Sequence, residues 1–244
     1  MSTSVKEPVS RSSAPLRFAR PGGICLALGG VAFFAGGVTH PQPTIEGTKV
    51  ETLYDMFVQP MWYPSHVLLL ASFALFATAV LLLRQQGDLG PRMTRLVNVV
   101  TVVLVASTLS MAVHLFDALG AQSIADGQPA LAYEVAKWNE TIFTTLWGLG
   151  IITLALAGGL TRTLGNHIIM PAGVIGGVAW CLAAATIAFT NLFDPLFPIA
   201  GTLIPVWAVA AGVKWASVAA HPRSGVMAGR SRGVPEPPDS VANL

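Results

Sequence analysis

Four side chains that could do chemistry lie near one end of long apolar stretches of this sequence: His66, His114, Asp117 and Glu140. His66 comes 18 residues before Arg84, the first charge after its apolar run, and His114 comes 18 residues after Leu96. At about 1.5 Å per helical residue, each separation is about 27 Å, close to the roughly 30 Å hydrocarbon core of a bilayer. We therefore expect both histidines at the same depth, just inside one membrane boundary.

Three chemistries suit these residues. Two histidines that face each other from neighbouring helices can supply both axial ligands of a b-type haem. Alternatively, His66 and His114 with Asp117 or Glu140 form a two-histidine, one-carboxylate set that suits a transition metal ion such as iron, zinc or copper. In the third, Glu140 and a histidine act without a cofactor as an acid/base pair on a lipid-soluble substrate. No HExxH or CxxCH spacing favours one of the three.

The same residues also have structural explanations. Polar groups are expected wherever helices leave a membrane, so three side chains are expected to be hydrated there: His40, Asp117 and Asp194. A neutral histidine bonded to a polar side chain of a neighbouring helix would be an ordinary packing contact. Glu140 can likewise be an exposed acid near a helix start, where the helix dipole favours it.

Composition indicates the class of protein that must position these residues. The chain has 244 residues, of which 53% are hydrophobic and 11% charged, with a mean hydropathy of +0.62. Such values exclude an ordinary soluble domain and predict an all-α, multi-pass membrane protein whose main partner is the lipid bilayer. The net charge of +2 gives no reason to expect nucleic acid, and the absence of Walker A and GxGxxG patterns gives none to expect a nucleotide.

Hydropathy and helix-breaking residues divide the chain into three parts. Residues 1–21 and 219–244 are polar and are predicted to be disordered cytoplasmic tails. Residues 22–218 are predicted to form a bundle of six transmembrane helices, near 22–38, 64–83, 96–119, 138–160, 167–190 and 200–218. Pro129 suits the first turn of the helix that leads into the fourth span. The capping-box pattern of Thr48 and Glu51 predicts a short amphipathic helix near 49–58 on the outer membrane surface.

The basic residues predict the orientation of the six spans. The proposed inner segments hold 12 of the 14 Lys and Arg residues, and only Lys49 and Lys137 fall outside them. By the positive-inside rule, both termini are cytoplasmic and the protein lies in the cell (cytoplasmic) membrane. The histidines and carboxylates then lie at the outer boundary.

Three functions from different classes follow from this arrangement. The first is a membrane protein that binds haem or a metal ion through the His66 and His114 cluster and can be redox-active. The second is a non-catalytic partner or assembly subunit that contacts another membrane protein through the outer helix and loop 121–137. The third is a lipid-modifying membrane enzyme. Within the bundle, Gly173 and Gly177 are predicted to let another helix approach closely.

Overall fold

The structure is a computed structural model that describes residues 18–86, 89–121, 126 and 131–220, and all regular structure in these ranges is helical. Most of the two predicted tails, and the helix start predicted at Pro129, lie outside the described residues. The elements in chain order are α1 (Ala19–Thr39), α2 (Lys49–Phe57), α3 (Trp62–Arg84), α4 (Gly90–His114), a 3-10 turn (Asp117–Gly120), α5 (Leu131–Asn139), a π-helical turn (Glu140–Thr144), α6 (Thr145–Thr161), α7 (Met170–Thr186) and α8 (Leu196–Ala220).

Five helical segments are long and apolar enough to cross a membrane: 19–39, 62–84, 90–120, 134–161 and 196–217. The all-helical class predicted from hydropathy is therefore confirmed, with five helices that could span a membrane. The fifth predicted span, 167–190, contains the shorter apolar helix α7 of 17 residues, which would be about 26 Å long. Just before α7, the Asn166 side chain accepts hydrogen bonds from the backbone N–H groups of Ile168 and Ile169. Six complete spans and the orientation of the termini stay predictions.

The six long helices close into a ring. Around this ring α1 packs against α3, α3 against α4, α4 against α6, α6 against α7, α7 against α8, and α8 against α1. Successive long helices run in opposite directions; for example, Gly36 near the end of α1 lies against Leu69 of α3, and Gly29 lies against Phe76 further along α3. All six therefore bring one end to the same side of the bundle.

Small residues allow the closest helix contacts in this ring. A Cβ atom added to Gly23 of α1 would lie 2.6 Å from the backbone nitrogen of Ala216 in α8. A Cβ added to Gly177 of α7 would lie 2.6 Å from Ile152 Cγ1 in α6. The predicted close approach of a helix to the Gly173 and Gly177 face of α7 is thus confirmed.

Aromatic rings fill the centre of the bundle. Trp147 lies between two phenylalanines, with ring centroids 5.1 Å from Phe33 and 4.4 Å from Phe73, both in stacked orientations. Trp147 and Trp207 are fully buried, and Phe76 contacts both of them. This apolar centre separates a histidine end, where His40, His66 and His114 lie, from an opposite arginine end, where α3 finishes at Arg84.

Candidate functional site

Three histidine rings form a continuous row at the histidine end. The ring centroid of His66 is 4.8 Å from that of His40 and 4.9 Å from that of His114. Trp62 contacts all three rings, and its indole stacks on His66 at a centroid distance of 3.8 Å. The His66 and His114 side chains, predicted to share one depth, are thus brought together. The row also includes His40, which was expected to be hydrated.

The fold explains why these rings meet. α3 and α4 are antiparallel neighbours joined by residues 85–89, so the start of α3 lies beside the end of α4. His66 is in the second turn of α3, and His114 is the last residue of α4. α1 packs against the other side of α3, and His40 follows its last residue. Three adjacent helices therefore each contribute one histidine.

Each of the three rings uses its Nδ1 atom in a hydrogen bond to an oxygen. The partners are the carbonyl oxygen of Pro41 for His40 (2.8 Å), that of Trp62 for His66 (2.7 Å), and Asp117 Oδ2 for His114 (2.5 Å). A carbonyl oxygen only accepts, so Nδ1 of His40 and of His66 must carry the proton. In a neutral ring this leaves the lone pair on Nε2. The Nε2 atom of His66 is buried and has no hydrogen-bond partner among the residues that the structure describes.

Asp117 is a buried partner of His114. It lies at the start of the 3-10 turn that follows α4, and only 7% of its surface is exposed. The expectation that Asp117 would be hydrated is therefore wrong, because the turn folds its carboxylate back onto the imidazole. The other residues expected to be hydrated behave differently. His40 is partly buried against His66, and the carboxylate of Asp194 remains 38% exposed and pairs with Lys49 at 3.2 Å.

A small pocket lies between the partner of His114 and the second carboxylate. Asp117 and Glu140 both line it, together with Lys137 and with apolar residues of α2, of α5 and of the segment that follows α7. Glu140 also lies close enough to His114 to interact with it electrostatically. Glu140 is partly buried within a helical segment that begins at Leu131, so it is not an exposed acid at a helix start. All four predicted site residues consequently lie in one neighbourhood.

Helix α2 covers this neighbourhood. Its N-terminus has the predicted capping box, in which the Glu51 backbone N–H donates to the Thr48 hydroxyl and Glu51 accepts from the Thr48 backbone N–H. The Thr48 backbone N–H and the Thr48 hydroxyl both donate to the Glu51 carboxylate and lower its pKa. At the other end, Phe57 packs against Trp62 with ring centroids 4.6 Å apart. Lys49 donates to Asn191 at 2.8 Å and thereby ties α2 to the segment after α7.

His40 is the histidine of the row that lies outside the membrane-spanning segments. Burial is the largest cause that lowers the pKa of the ring; with a smaller lowering by the nearby His114 ring and an opposing effect of the bond to Pro41, the net pKa is about 4. His40 is therefore neutral over the physiological range. A neutral ring suits its position, because a second positive charge beside His66 and His114 would be repelled.

The observed spacing does not fit a haem between His66 and His114. Bis-histidine ligation places a porphyrin plane between the two rings, with two metal–nitrogen bonds of about 2 Å each, and this would separate the ring centroids by more than 4.9 Å. Trp62, stacked on His66, fills one of the adjacent spaces. Within the described ranges, no group of three or more His, Cys, Asp or Glu side chains is arranged to hold a metal ion.

Sequence reasoning missed two members of the site and one element that shapes it. His40 was expected at the boundary, but the contacts of His40 and Trp62 with His66 were not expected. A usable signal was present, since His40 follows a span whose length matches the depth of His66. The π-helical turn at Glu140–Thr144 has no pattern in the sequence that would have indicated it.

Known proteins give no further guide to this site. No family model, no curated protein and no solved structure matches the chain. The function must therefore be argued from the geometry of the histidine end alone.

Proposed function

We propose that this membrane protein uses the histidine end as an acid–base site that binds and releases protons and so responds to pH on that side of the membrane. One observation carries the proposal. His40, His66 and His114 are in direct ring contact, and the last of them is hydrogen-bonded to a buried carboxylate, Asp117. Ionisable groups at membrane depth are costly, and in known membrane proteins they commonly form proton relays.

The spacing of the rings makes them one titrating unit. Two positive charges 4.9 Å apart repel each other by about 3 kcal/mol at an effective dielectric constant of about 20. A first proton therefore disfavours a second on the neighbouring ring, and the groups titrate together. Asp117 makes His114 the natural site of the first proton, because its carboxylate accepts a hydrogen bond from the imidazole and stabilises the positive charge.

The pocket supplies a route for the proton. Asp117 is shared between His114 and the pocket, and Glu140 lines the same pocket. A proton can pass between these carboxylates and His114 without crossing the apolar centre of the bundle. The cluster thus exchanges protons with one side of the membrane, which the positive-inside rule predicts to be the outer side.

The emission of Trp62 tests this proposal. Its indole stacks on His66 and contacts His114, and a protonated imidazole quenches an adjacent indole. We expect a pH-dependent change in emission from the purified protein that is lost in Trp62→Phe and displaced in His114→Gln. His167→Gln, which alters an exposed histidine at the other end of the bundle, is the matched control and should leave the change in place. Emission that stays constant between about pH 4 and 8, or that ignores His114→Gln, would refute the proposal.

A second candidate is a transition metal site, and the Nδ1 bonds favour it. Metal-binding histidines commonly donate their other N–H to a carbonyl or carboxylate oxygen, as His40, His66 and His114 do. The unpartnered Nε2 of His66 is then the leading ligand atom. Binding would require the rings to turn from the positions described. Stoichiometric zinc or copper that is lost in both His66→Ala and His114→Ala would support this candidate, and metal retained by both variants would refute it.

The partner-subunit and lipid-enzyme hypotheses stay predictions. Both would act through the same end of the bundle, where α2 and the segment after α7 cover the pocket. If the emission of Trp62 is independent of pH and neither histidine variant changes the metal content, the histidines are structural and the partner hypothesis becomes the leading one.

A further inference from the structure

The π-helical turn determines which way Glu140 faces. It spans Glu140–Thr144, between α5 and α6. A π turn has i→i+5 hydrogen bonds and therefore accommodates about one more residue than an α-helical turn. One residue of an α-helix corresponds to about 100° of rotation. The π turn therefore rotates α5 by about 100° relative to α6, compared with the position that α5 would have in an uninterrupted α-helix. Asn139 and Glu140 lie on the α5 side of the turn and rotate with α5.

Neighbouring helices hold the backbone of this turn from two sides. From α4, the Ser107 hydroxyl donates to the carbonyl oxygen of Phe143 at 2.8 Å. From α7, Trp180 Nε1 donates to the carbonyl oxygen of Thr144 at 3.0 Å. Both donors come from other helices and bond to carbonyl groups at the C-terminal end of the π turn. The π turn is therefore supported by tertiary contacts.

A second contact fixes the residue next to Glu140. The Ser110 hydroxyl donates to Asn139 Oδ1 at 2.9 Å, and Asn139 Nδ2 donates to the Ser110 carbonyl oxygen at 3.1 Å. This pair of bonds holds Asn139 against α4. Glu140, one residue further along, then faces the pocket that it shares with Asp117.

We propose that Ser107 and Ser110 are positioning residues, which hold the π turn so that Glu140 stays beside the His114 and Asp117 pair. The inference rests on the proposed acid–base function and names residues that tune it. The hydrogen bonds of the two serines go to the carbonyl oxygen of Phe143 and to Asn139, so each acts through the backbone turn or through Asn139. Without these bonds, Glu140 is free to rotate away and its negative charge leaves the cluster.

The pH midpoint of the Trp62 emission tests this inference. Glu140→Gln removes the charge and should move the midpoint to lower pH, since a carboxylate favours a protonated histidine. Ser107→Ala and Ser110→Ala should move it in the same direction, by about one pH unit. Thr108→Ala is the matched control on α4, because the Thr108 hydroxyl bonds only to Leu104 of its own helix and should not affect the midpoint. Ser107→Thr retains the hydroxyl, so its Trp62 emission should titrate with the wild-type midpoint.

The outcomes separate this inference from the function on which it rests. If the wild-type emission titrates and Glu140→Gln shifts it, but both serine variants keep the wild-type midpoint, the positioning role is refuted and the acid–base function stands. If the wild-type emission does not titrate at all, the function itself fails. Far-UV circular dichroism identifies any variant that has lost its helices, and the two serines provide independent tests if one variant does not fold.

Discussion

The imidazole of His66 lies against the indole of Trp62, with ring centroids 3.8 Å apart and an angle of 29° between the planes. The Trp62 carbonyl oxygen, one turn earlier in α3, accepts the Nδ1 hydrogen of the same imidazole at 2.7 Å. Trp62 thus determines both the tilt of the His66 ring and which of its nitrogens carries the proton. Trp62 also contacts His40, His114 and Phe57, so it is the residue that joins α2 to the histidine row.

Removal of the Trp62 side chain should loosen the whole histidine end. Trp62 is 2% exposed, and deletion of a large buried aromatic side chain typically costs about 3 to 5 kcal/mol. We expect Trp62→Ala to lower the free energy of unfolding by about that amount, as measured by circular dichroism in detergent. Trp138→Ala is the control, since half of the Trp138 side chain is exposed. Equal losses in the two variants would show that Trp62 has no special packing role.

The stability of the histidine end should fall as the pH falls through the range set by His40. The ring has a pKa of about 4 in the folded protein, whereas an unperturbed histidine has a pKa of 6.5. Below pH 6.5 the unfolded chain takes up a proton that the folded chain does not, so folding is increasingly disfavoured until about pH 4. At pH 5 the loss from this group is about 2 kcal/mol. Thermal unfolding of wild type and His40→Gln at pH 7 and pH 5 measures the difference. A variant as pH-sensitive as the wild type would contradict the assignment to His40.

Addition of a single methyl group at Gly23, where α1 packs against α8, should destabilise the protein. In Gly23→Ala the new Cβ would lie 2.6 Å from the Ala216 backbone nitrogen, so the two helices must separate. Overpacking of this kind costs about 1 to 3 kcal/mol. Gly37→Ala is a control on the same helix, because nothing lies within 4 Å of its added Cβ. Thermal unfolding should separate the two variants, and equal stabilities would contradict the described packing of α1 on α8.

The orientation of the bundle can be tested with fused reporters. The 12-to-2 division of basic residues predicts that a reporter active only outside the cytoplasm works after Gly47 and fails after Gly165. These two sites lie at opposite ends of the bundle, beside Thr48 and Lys214 respectively. A reporter that is active after Gly165 but inactive after Gly47 would show the opposite orientation, with the histidine end facing the cytoplasm.

Depth counting recovered part of the site and missed the rest for identifiable reasons. His66 and His114 could be paired because two antiparallel helices joined by a short turn preserve their register over about 27 Å. Asp117 was grouped with His114 as a candidate ligand, but its burial depends on the 3-10 turn, which hydropathy does not predict. The contact of His40 depends on the backbone beyond the end of α1, where helical periodicity no longer applies.

The π turn at Glu140–Thr144 is a second feature of the site that hydropathy does not predict. The hydropathy of residues 138–160 predicts one continuous span, and the structure contains a continuous helical segment with one irregular turn. That turn is held by Ser107 and Trp180, which belong to other helices. Tertiary contacts of this kind leave no periodic pattern in the segment itself. The direction in which Glu140 faces therefore required the structure.

Nuclear magnetic resonance of the histidine rings tests the central claim most directly. The chain has five histidines, so a histidine-labelled sample gives few ring signals, and His→Gln variants assign them. A shared proton-binding site predicts that the His114 ring responds to pH and that His114→Gln changes the titration of His66, while the ring signals of the exposed His167 stay the same in His114→Gln. The claim of a shared site would be contradicted if the rings of His40, His66 and His114 showed no response between about pH 4 and 8. It would also be contradicted if these rings titrated independently of one another.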